Sequence, residues 1–139
     1  MNPIAPPKPT IVAPDVTMIP AELCHQRAWI AWRLDFRAEQ WSKVPINPRT
    51  GGLAKTDDPK TWTDLSTPLR CMRASWDGIG LCRTGDYLFI DLDGCLNAHG
   101  RLRPFPWVST ILDAIYWGAY LEISVSGTGI HTTPAPSVL

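Results

Sequence analysis

Two aspartates one residue apart are the residues of this sequence best suited to chemistry. Asp91 and Asp93 close the segment 87–93, Tyr-Leu-Phe-Ile-Asp-Leu-Asp, which has the alternating apolar pattern of a β-strand. Side chains two residues apart on a strand share a face, so the two carboxylates are expected to lie side by side. The opposite, buried face is predicted to hold Leu88, Ile90 and Leu92. Because paired carboxylates repel each other without a cation, the pair predicts a site for Mg²⁺ or Mn²⁺ carrying a substrate phosphate.

A short glycine-containing segment, 126–131, is the second candidate. Its potential phosphate-binding groups are the hydroxyls and backbone N–H groups of Ser126, Gly127, Thr128 and Gly129 and the ring of His131. Together with the Asp pair, the segment predicts a nucleoside triphosphate site that serves two-metal phosphoryl or nucleotidyl transfer. Each signal alone has a plainer explanation, namely exposed carboxylates at a strand end and a glycine turn with an incidental histidine.

Composition limits the classes of protein that fit. The 139 residues suffice for one domain with a real core, and 13 basic residues balance 13 acidic ones. Net neutrality argues against a globally basic protein that coats nucleic acid, but it leaves room for a local basic strip. Such a strip is expected before the Asp pair, at Lys43, Arg49, Lys55 and Lys60. The seven tryptophans are expected in the core or at its rim.

The four cysteines and the hydropathy pattern indicate a soluble, intracellular protein. No Cys-x-x-Cys pair occurs, so free thiols are expected; a zinc site at Cys82, Cys95 and His99 is the alternative. The sequence has neither a basic-then-apolar leader nor an apolar run of membrane-spanning length. We therefore expect a cytoplasmic protein with no membrane partner.

The chain is predicted to consist of a proline-rich, extended and weakly ordered arm (1–19) and one domain (20–139). The predicted helices are 20–27, a helix begun by Asp58-Pro59 and kinked at Pro68 that ends near residue 73, and 106–117, ended by Gly118. The predicted strands are 28–36, 41–46 with Pro45 at a sheet edge, 78–83, 87–93 and 119–125. The clearest hairpin is expected to join 78–83 to 87–93 around Thr84-Gly85-Asp86. This pattern predicts an α+β fold with a mixed or antiparallel sheet and helices packed on it.

Over residues 20–131 the sequence resembles the archaeo-eukaryotic primase superfamily, in the form of the primase-polymerase domain found at the N-terminus of phage and plasmid replication proteins. The similar stretches are 20–23 with 28–33, 43–51 with 58–62, 78–81 with 87–93, and 120–131. The resemblance implies a palm-like core related to RNA-recognition modules. It also implies template-directed transfer of nucleotides to a 3′-hydroxyl during DNA replication.

The resemblance implies a role for each candidate residue. Asp91 and Asp93 would be catalytic and hold Mg²⁺ or Mn²⁺, while His131 and the glycine segment would bind the incoming nucleotide. Lys43 and Arg49 would contact phosphate or template; a solvated basic face is the alternative, which applies more to Arg49 than to Lys43. The implied partners are nucleoside triphosphates, a single-stranded DNA template and a replicative helicase domain, in a bacterial host cell infected by a phage or carrying a mobile element.

A third acidic motif of the family, on a later strand, has no counterpart after His131. The short remainder with its two prolines, Pro134 and Pro136, is predicted to form no strand. We therefore expect a domain truncated after the second motif, with weak or absent catalysis. The alternatives are a non-catalytic module that binds nucleotides or single strands, and an unstable remnant.

The segment Asp91-Leu-Asp93-Gly94 also resembles the signature of haloacid-dehalogenase-type phosphatases, in which the first Asp is the nucleophile. That fold needs a doubly wound α/β domain longer than the 46 residues that follow Asp93. We therefore rank the phosphatase below the primase-polymerase and the binding module.

Overall fold

Within the part of the chain that the structure describes, the strands form two antiparallel sheets of three strands each. The computed structural model describes residues 4–13, 15–85, 87–115 and 119–133. It divides into two compact units, Met1–Arg83 and Thr84–Leu139. The fold is α+β, as predicted, but with two small sheets in place of one. The assignment of 20–139 to one domain stays a prediction.

The first sheet is built around an aromatic hairpin. Its strands are β1 (Trp29–Arg37), β2 (Gln40–Ile46) and β3 (Gly78–Leu81), in the order β2-β1-β3. Arg37 pairs with Gln40, and the intervening Ala38 and Glu39 both have positive φ, 49° and 63°. Two left-handed residues in a row are the geometry of a type I′ turn, which matches the twist of the strands that it joins. The predicted strands 28–36 and 41–46 are thus confirmed and pair as a hairpin, and β2 with Pro45 lies at the sheet edge as expected.

The helices of the first unit are short. They are α1 (Ala21–Cys24) and α2 (Ser66–Arg70), with 3-10 turns at Val16–Met18 and Pro59–Thr61. Asp58 caps the second 3-10 turn through an Oδ1 that accepts from the N–H of Lys60 at 3.1 Å, as the Asp-Pro signal predicted. The prediction of one helix continuing to residue 73 is wrong. Trp62 has an extended backbone, and the next residue, Thr63, forms a β-bridge with Trp29. Neither Trp62 nor Thr63 can therefore belong to a helix.

The predicted hairpin between residues 78–83 and 87–93 is also wrong. β3 pairs with β1, whereas residues 90–92 pair with a strand of the other sheet. The reason is the fit between β3 and Trp32, whose indole lies against Gly78 and donates its Nε1–H to the carbonyl of Ile79 at 2.9 Å. Glycine gives the indole room beside the backbone, so β3 is attached to β1 by a long-range contact.

The second sheet consists of β4 (Ile90–Leu92), β5 (Tyr120–Ile123) and β6 (Ile130–Thr133), in the order β4-β6-β5. β6 is central although the sequence predicted no strand at this position. β4 is shorter than the predicted 87–93. Leu88 precedes it and is exposed, whereas Leu92 is buried as expected.

Helix α3 (Pro106–Ile115) covers one face of the second sheet. Its side chains Val108, Ile111 and Leu112 pack with the sheet residues, and Ile115 is also buried. The core of this unit contains Ile90, Leu92, Cys95, Leu96 and Ile130. The predicted end of the helix at Gly118 lies outside the described residues.

The cysteines are free, as predicted. Burial raises the pKa of the Cys82 thiol to about 11, so this thiol is a packing group. In the part of the chain that the structure describes, no helix has the length and hydropathy needed to cross a bilayer.

The close fit at β3 yields a stability prediction. In Gly78→Ala the new Cβ would meet the Trp32 ring at 2.6 Å, so we expect a loss of about 1–3 kcal/mol in the free energy of unfolding. Gly80→Ala is the matched control, because its Cβ would meet Trp32 at an ordinary 3.5 Å and should change stability by less than about 1 kcal/mol. Urea unfolding of both variants measures the difference. Equal stabilities would contradict this explanation of β3 pairing.

Candidate functional site

Three ionisable side chains form a row across the second sheet. Asp91 of β4 is directly opposite His131 of β6, and His131 is directly opposite Glu122 of β5. Residues paired across strands share a face of the sheet. The register therefore brings the first residue of the predicted metal pair to the predicted phosphate-binding histidine.

The histidine ring contacts a carboxylate on each side. Nε2 of His131 is 3.4 Å from Oδ1 of Asp91, and Nδ1 is 3.1 Å from Oε1 of Glu122. The ring can donate to both carboxylates only when both nitrogens carry a proton. The side chains of Asp91 and Glu122 are 50% and 49% exposed and that of His131 36%, so a charged ligand can reach the row from solvent.

Asp93 follows β4 directly and its side chain is exposed. Gly94, with φ of 63°, turns the chain immediately after it. Mg²⁺ is commonly held by one or two carboxylates, with water and substrate phosphates completing its shell. Asp91 and Asp93 offer oxygen donors of this kind at one strand end, so their chemistry fits such an ion. Among the described residues, no group of three or more His, Cys, Asp and Glu side chains could hold a metal ion by itself.

The glycine segment is the hairpin turn between β5 and β6. The hydroxyl of Ser126 is 2.9 Å from those of both Ser124 and Thr128. The N–H groups of the segment donate within the turn: Gly127 to the carbonyl of Ser124, Thr128 to the Ser126 hydroxyl and Gly129 to the Ser124 hydroxyl. An anion would therefore contact the cluster of hydroxyls first. It could accept hydrogen bonds from the backbone N–H groups only after their hydrogen bonds within the turn had broken.

The glycine turn lies against the strand that carries the Asp pair. A Cβ on Gly129 would be 2.9 Å from the carbonyl oxygen of Leu92 and 3.6 Å from Cα of Asp93. The N–H of Leu96 donates to the carbonyl of Thr128 at 2.9 Å. The two sequence signals are thus adjacent in the folded unit. Gly129 also has a packing role that is independent of any ligand.

Lys43 and Arg49 belong to the first unit. Lys43 Nζ lies 4.6 Å from the centre of the Trp32 ring, a cation–π contact. Arg49 donates from Nη2 to the carbonyls of Lys60 at 2.9 Å and Trp62 at 3.2 Å. The guanidinium of Arg49 therefore holds two loops together, and its role toward phosphate or template stays a prediction.

Sequence reasoning missed two residues of the site. Glu122 could have been found by counting back from His131 across the turn, because the hairpin register pairs them. Arg103 had no local signal. Its Nη1 is 3.5 Å from the carbonyl of Gly94, next to the Asp pair, and its guanidinium lies 5.3 Å from the centre of the Phe105 ring. It places a positive charge at the carbonyl of Gly94, the residue that follows Asp93.

The second unit is an α+β unit whose sheet presents a carboxylate–histidine row beside a hydroxyl-rich turn. Comparison with known proteins identifies the family of the chain. The chain is 33% identical over 106 residues to the DNA primase-polymerase of Nitratiruptor phage NrS-1, a match that covers 74% of this chain. No family model matches the sequence.

The chain belongs to the phage-type primase-polymerase domains, as the sequence resemblance predicted. It spans 14% of the length of the phage protein that it matches. The similarity therefore concerns one domain of a much longer protein.

The approach of Gly129 to β4 gives a prediction for the site. In Gly129→Ala the Cβ would press on the backbone at Leu92, which cannot move away as a flexible side chain could. We expect a loss of about 1–3 kcal/mol in the free energy of unfolding. Gly85→Ala is the matched control in the same unit, because no atom lies within 4 Å of its added Cβ. Chemical denaturation compares the variants, and a Gly129→Ala protein as stable as Gly85→Ala would refute the contact.

Proposed function

We propose that this chain supplies the metal- and nucleotide-binding part of a DNA primase-polymerase, which transfers nucleotides to a 3′-hydroxyl on a single-stranded DNA template. The observation that carries the proposal is the cross-strand row Asp91–His131–Glu122 beside the turn 124–129. The similarity to a phage DNA primase-polymerase supports the same class of substrate.

Asp91 and Asp93 are the residues that would hold Mg²⁺ or Mn²⁺. When bound, the metal neutralises the triphosphate and activates the attacking hydroxyl. The protein contributes position: β4 fixes the backbone of Asp91, and Gly129 supports the backbone at Asp93. Alignment of the two reactants supplies a large part of the acceleration in transfers of this kind.

His131 and the turn hydroxyls are the proposed contacts to phosphate. Ser126 and Thr128 present a connected pair of hydroxyls, and the ring of His131 would add a positive charge when both of its nitrogens carry a proton. Glu122 acts through the ring, since its contact with Nδ1 directs Nε2 toward Asp91. Glu122 is thus a positioning residue. Arg103 adds a further cation for an anionic ligand near Gly94.

The metal site is tested by titrating ATP and dATP into the full chain with Mn²⁺ by calorimetry. We expect Asp91→Asn and Asp93→Asn to weaken metal-dependent binding at least about tenfold, since even outer-shell partners of a metal change affinity by about that factor. Asp113→Asn is the matched control, with the same charge change on an exposed aspartate of α3. Binding that survives in both site variants, or that needs no metal, would reject the proposed site. Primer extension then separates transfer from binding alone.

The role of Glu122 is tested by a double-mutant cycle. Glu122→Gln keeps an oxygen for Nδ1 of His131 but removes the charge, so we expect about 3–10-fold weaker binding of ATP and little change for AMP. In the His131→Gln background the same change should have no further effect, because the two residues act as one unit. Glu39→Gln, an exposed glutamate of the first unit, is the control. Additive losses in the cycle would mean that Glu122 acts independently of the ring.

A further inference from the structure

The proline-rich arm is attached to the first sheet at two points. The carbonyl of Pro6 accepts a hydrogen bond from Nε1–H of Trp41 at 3.2 Å. Two residues later, Nζ of Lys8 lies 2.7 Å from Oδ2 of Asp77. The two contacts attach the arm to the sheet, and its predicted weak order stays a prediction.

The groups that receive the arm are held by the sheet itself. Trp41 is directly opposite Phe36, and their rings are 5.5 Å apart at 60°. Asp77 donates its N–H to the carbonyl of Trp32 at 2.8 Å, and its Oδ2 accepts from the N–H of Leu34 at 2.6 Å. Both anchors are therefore oriented by backbone and ring contacts that do not involve the arm.

The arm segment Pro6-Pro7-Lys8-Pro9 suits such anchors. Consecutive prolines favour the polyproline II conformation, in which the backbone carbonyls make no internal hydrogen bonds and point outward. Since the segment has this conformation before binding, little conformational entropy is lost when an indole N–H donates a hydrogen bond to one of its carbonyls. Docking of proline-rich segments on aromatic side chains is an established mode of peptide recognition. In this chain the carboxylate of Asp77 adds a partner for a basic side chain.

We propose that Trp41 and Asp77 form a binding site for a proline-rich segment that bears a lysine two residues after the accepted carbonyl. Residues 4–9 of the same chain occupy this site. All residues of this segment remain exposed, so few contacts hold them. Occupancy therefore depends on the tether, which gives the arm a high effective concentration and makes it replaceable by a similar segment.

The test measures binding of a fluorescent peptide with the sequence of residues 4–13 to the full chain by anisotropy. In wild-type protein the arm competes with the peptide. In Lys8→Glu the arm is repelled by Asp77, and we expect the peptide to bind about tenfold more tightly than to wild type. Adding Asp77→Asn to this variant should remove most of the gain, while Asn still accepts from the N–H of Leu34. Trp41→Phe should weaken binding and keep the ring contact with Phe36.

Lys60→Glu is the matched control, an exposed lysine of the same unit with the same charge change. It should bind the peptide as wild type does. Equal peptide affinity in wild type and Lys8→Glu, or full binding after Asp77→Asn, would overturn the proposal. Sedimentation of the wild-type chain gives a second outcome. A monomeric wild-type chain supports occupancy of the site by the chain's own arm. A dimer that becomes a monomer in Lys8→Glu would overturn this occupancy, because the arm would then bind the site of a second copy.

Discussion

The central position of β6 is the constraint on which the second unit depends. Its antiparallel pairing with β4 on one side and β5 on the other fixes which residues meet across the sheet. Because the side-chain period of a strand is two, a slip of one residue would turn the imidazole of His131 to the opposite face, against α3. The hydrophobic contacts of Ile130 with the core oppose that slip. The packing of Ile130 in the core thus fixes the strand register that places His131 between Asp91 and Glu122.

Local patterns predicted the parts of the fold that local interactions determine. The first strand, the capping aspartate at residue 58 and the start of α3 at Pro106 each depend on a short segment, and each is confirmed. The pairing of β3 with β1 depends on Trp32 and Gly78, which are far apart in sequence. The sequence prediction paired β3 with β4 because the two segments are close in sequence, and this pairing is wrong.

The site could be predicted in its components but not in its assembly. The Asp pair and the glycine segment carry distinctive residue types, and their adjacency now rests on Gly129 and the Leu96–Thr128 hydrogen bond. No strand was predicted at β6 because Pro134 and Pro136 follow His131 closely, and proline is unfavourable inside a sheet. Once β6 is known, the partner of His131 follows from the length of the turn. Arg103 remains unpredictable, since a loop contact brings it to Gly94.

The type I′ turn of the first sheet has a consequence for folding kinetics. Ala38 and Glu39 adopt the left-handed region without the glycine or asparagine that relieves its cost. The turn therefore cannot form early by its own preference and must follow the pairing of β1 with β2. Closure of this hairpin should proceed from the aromatic pair Phe36–Trp41, next to the turn, whose contact compensates for the backbone strain. The ring that anchors the arm would then also help to nucleate the sheet.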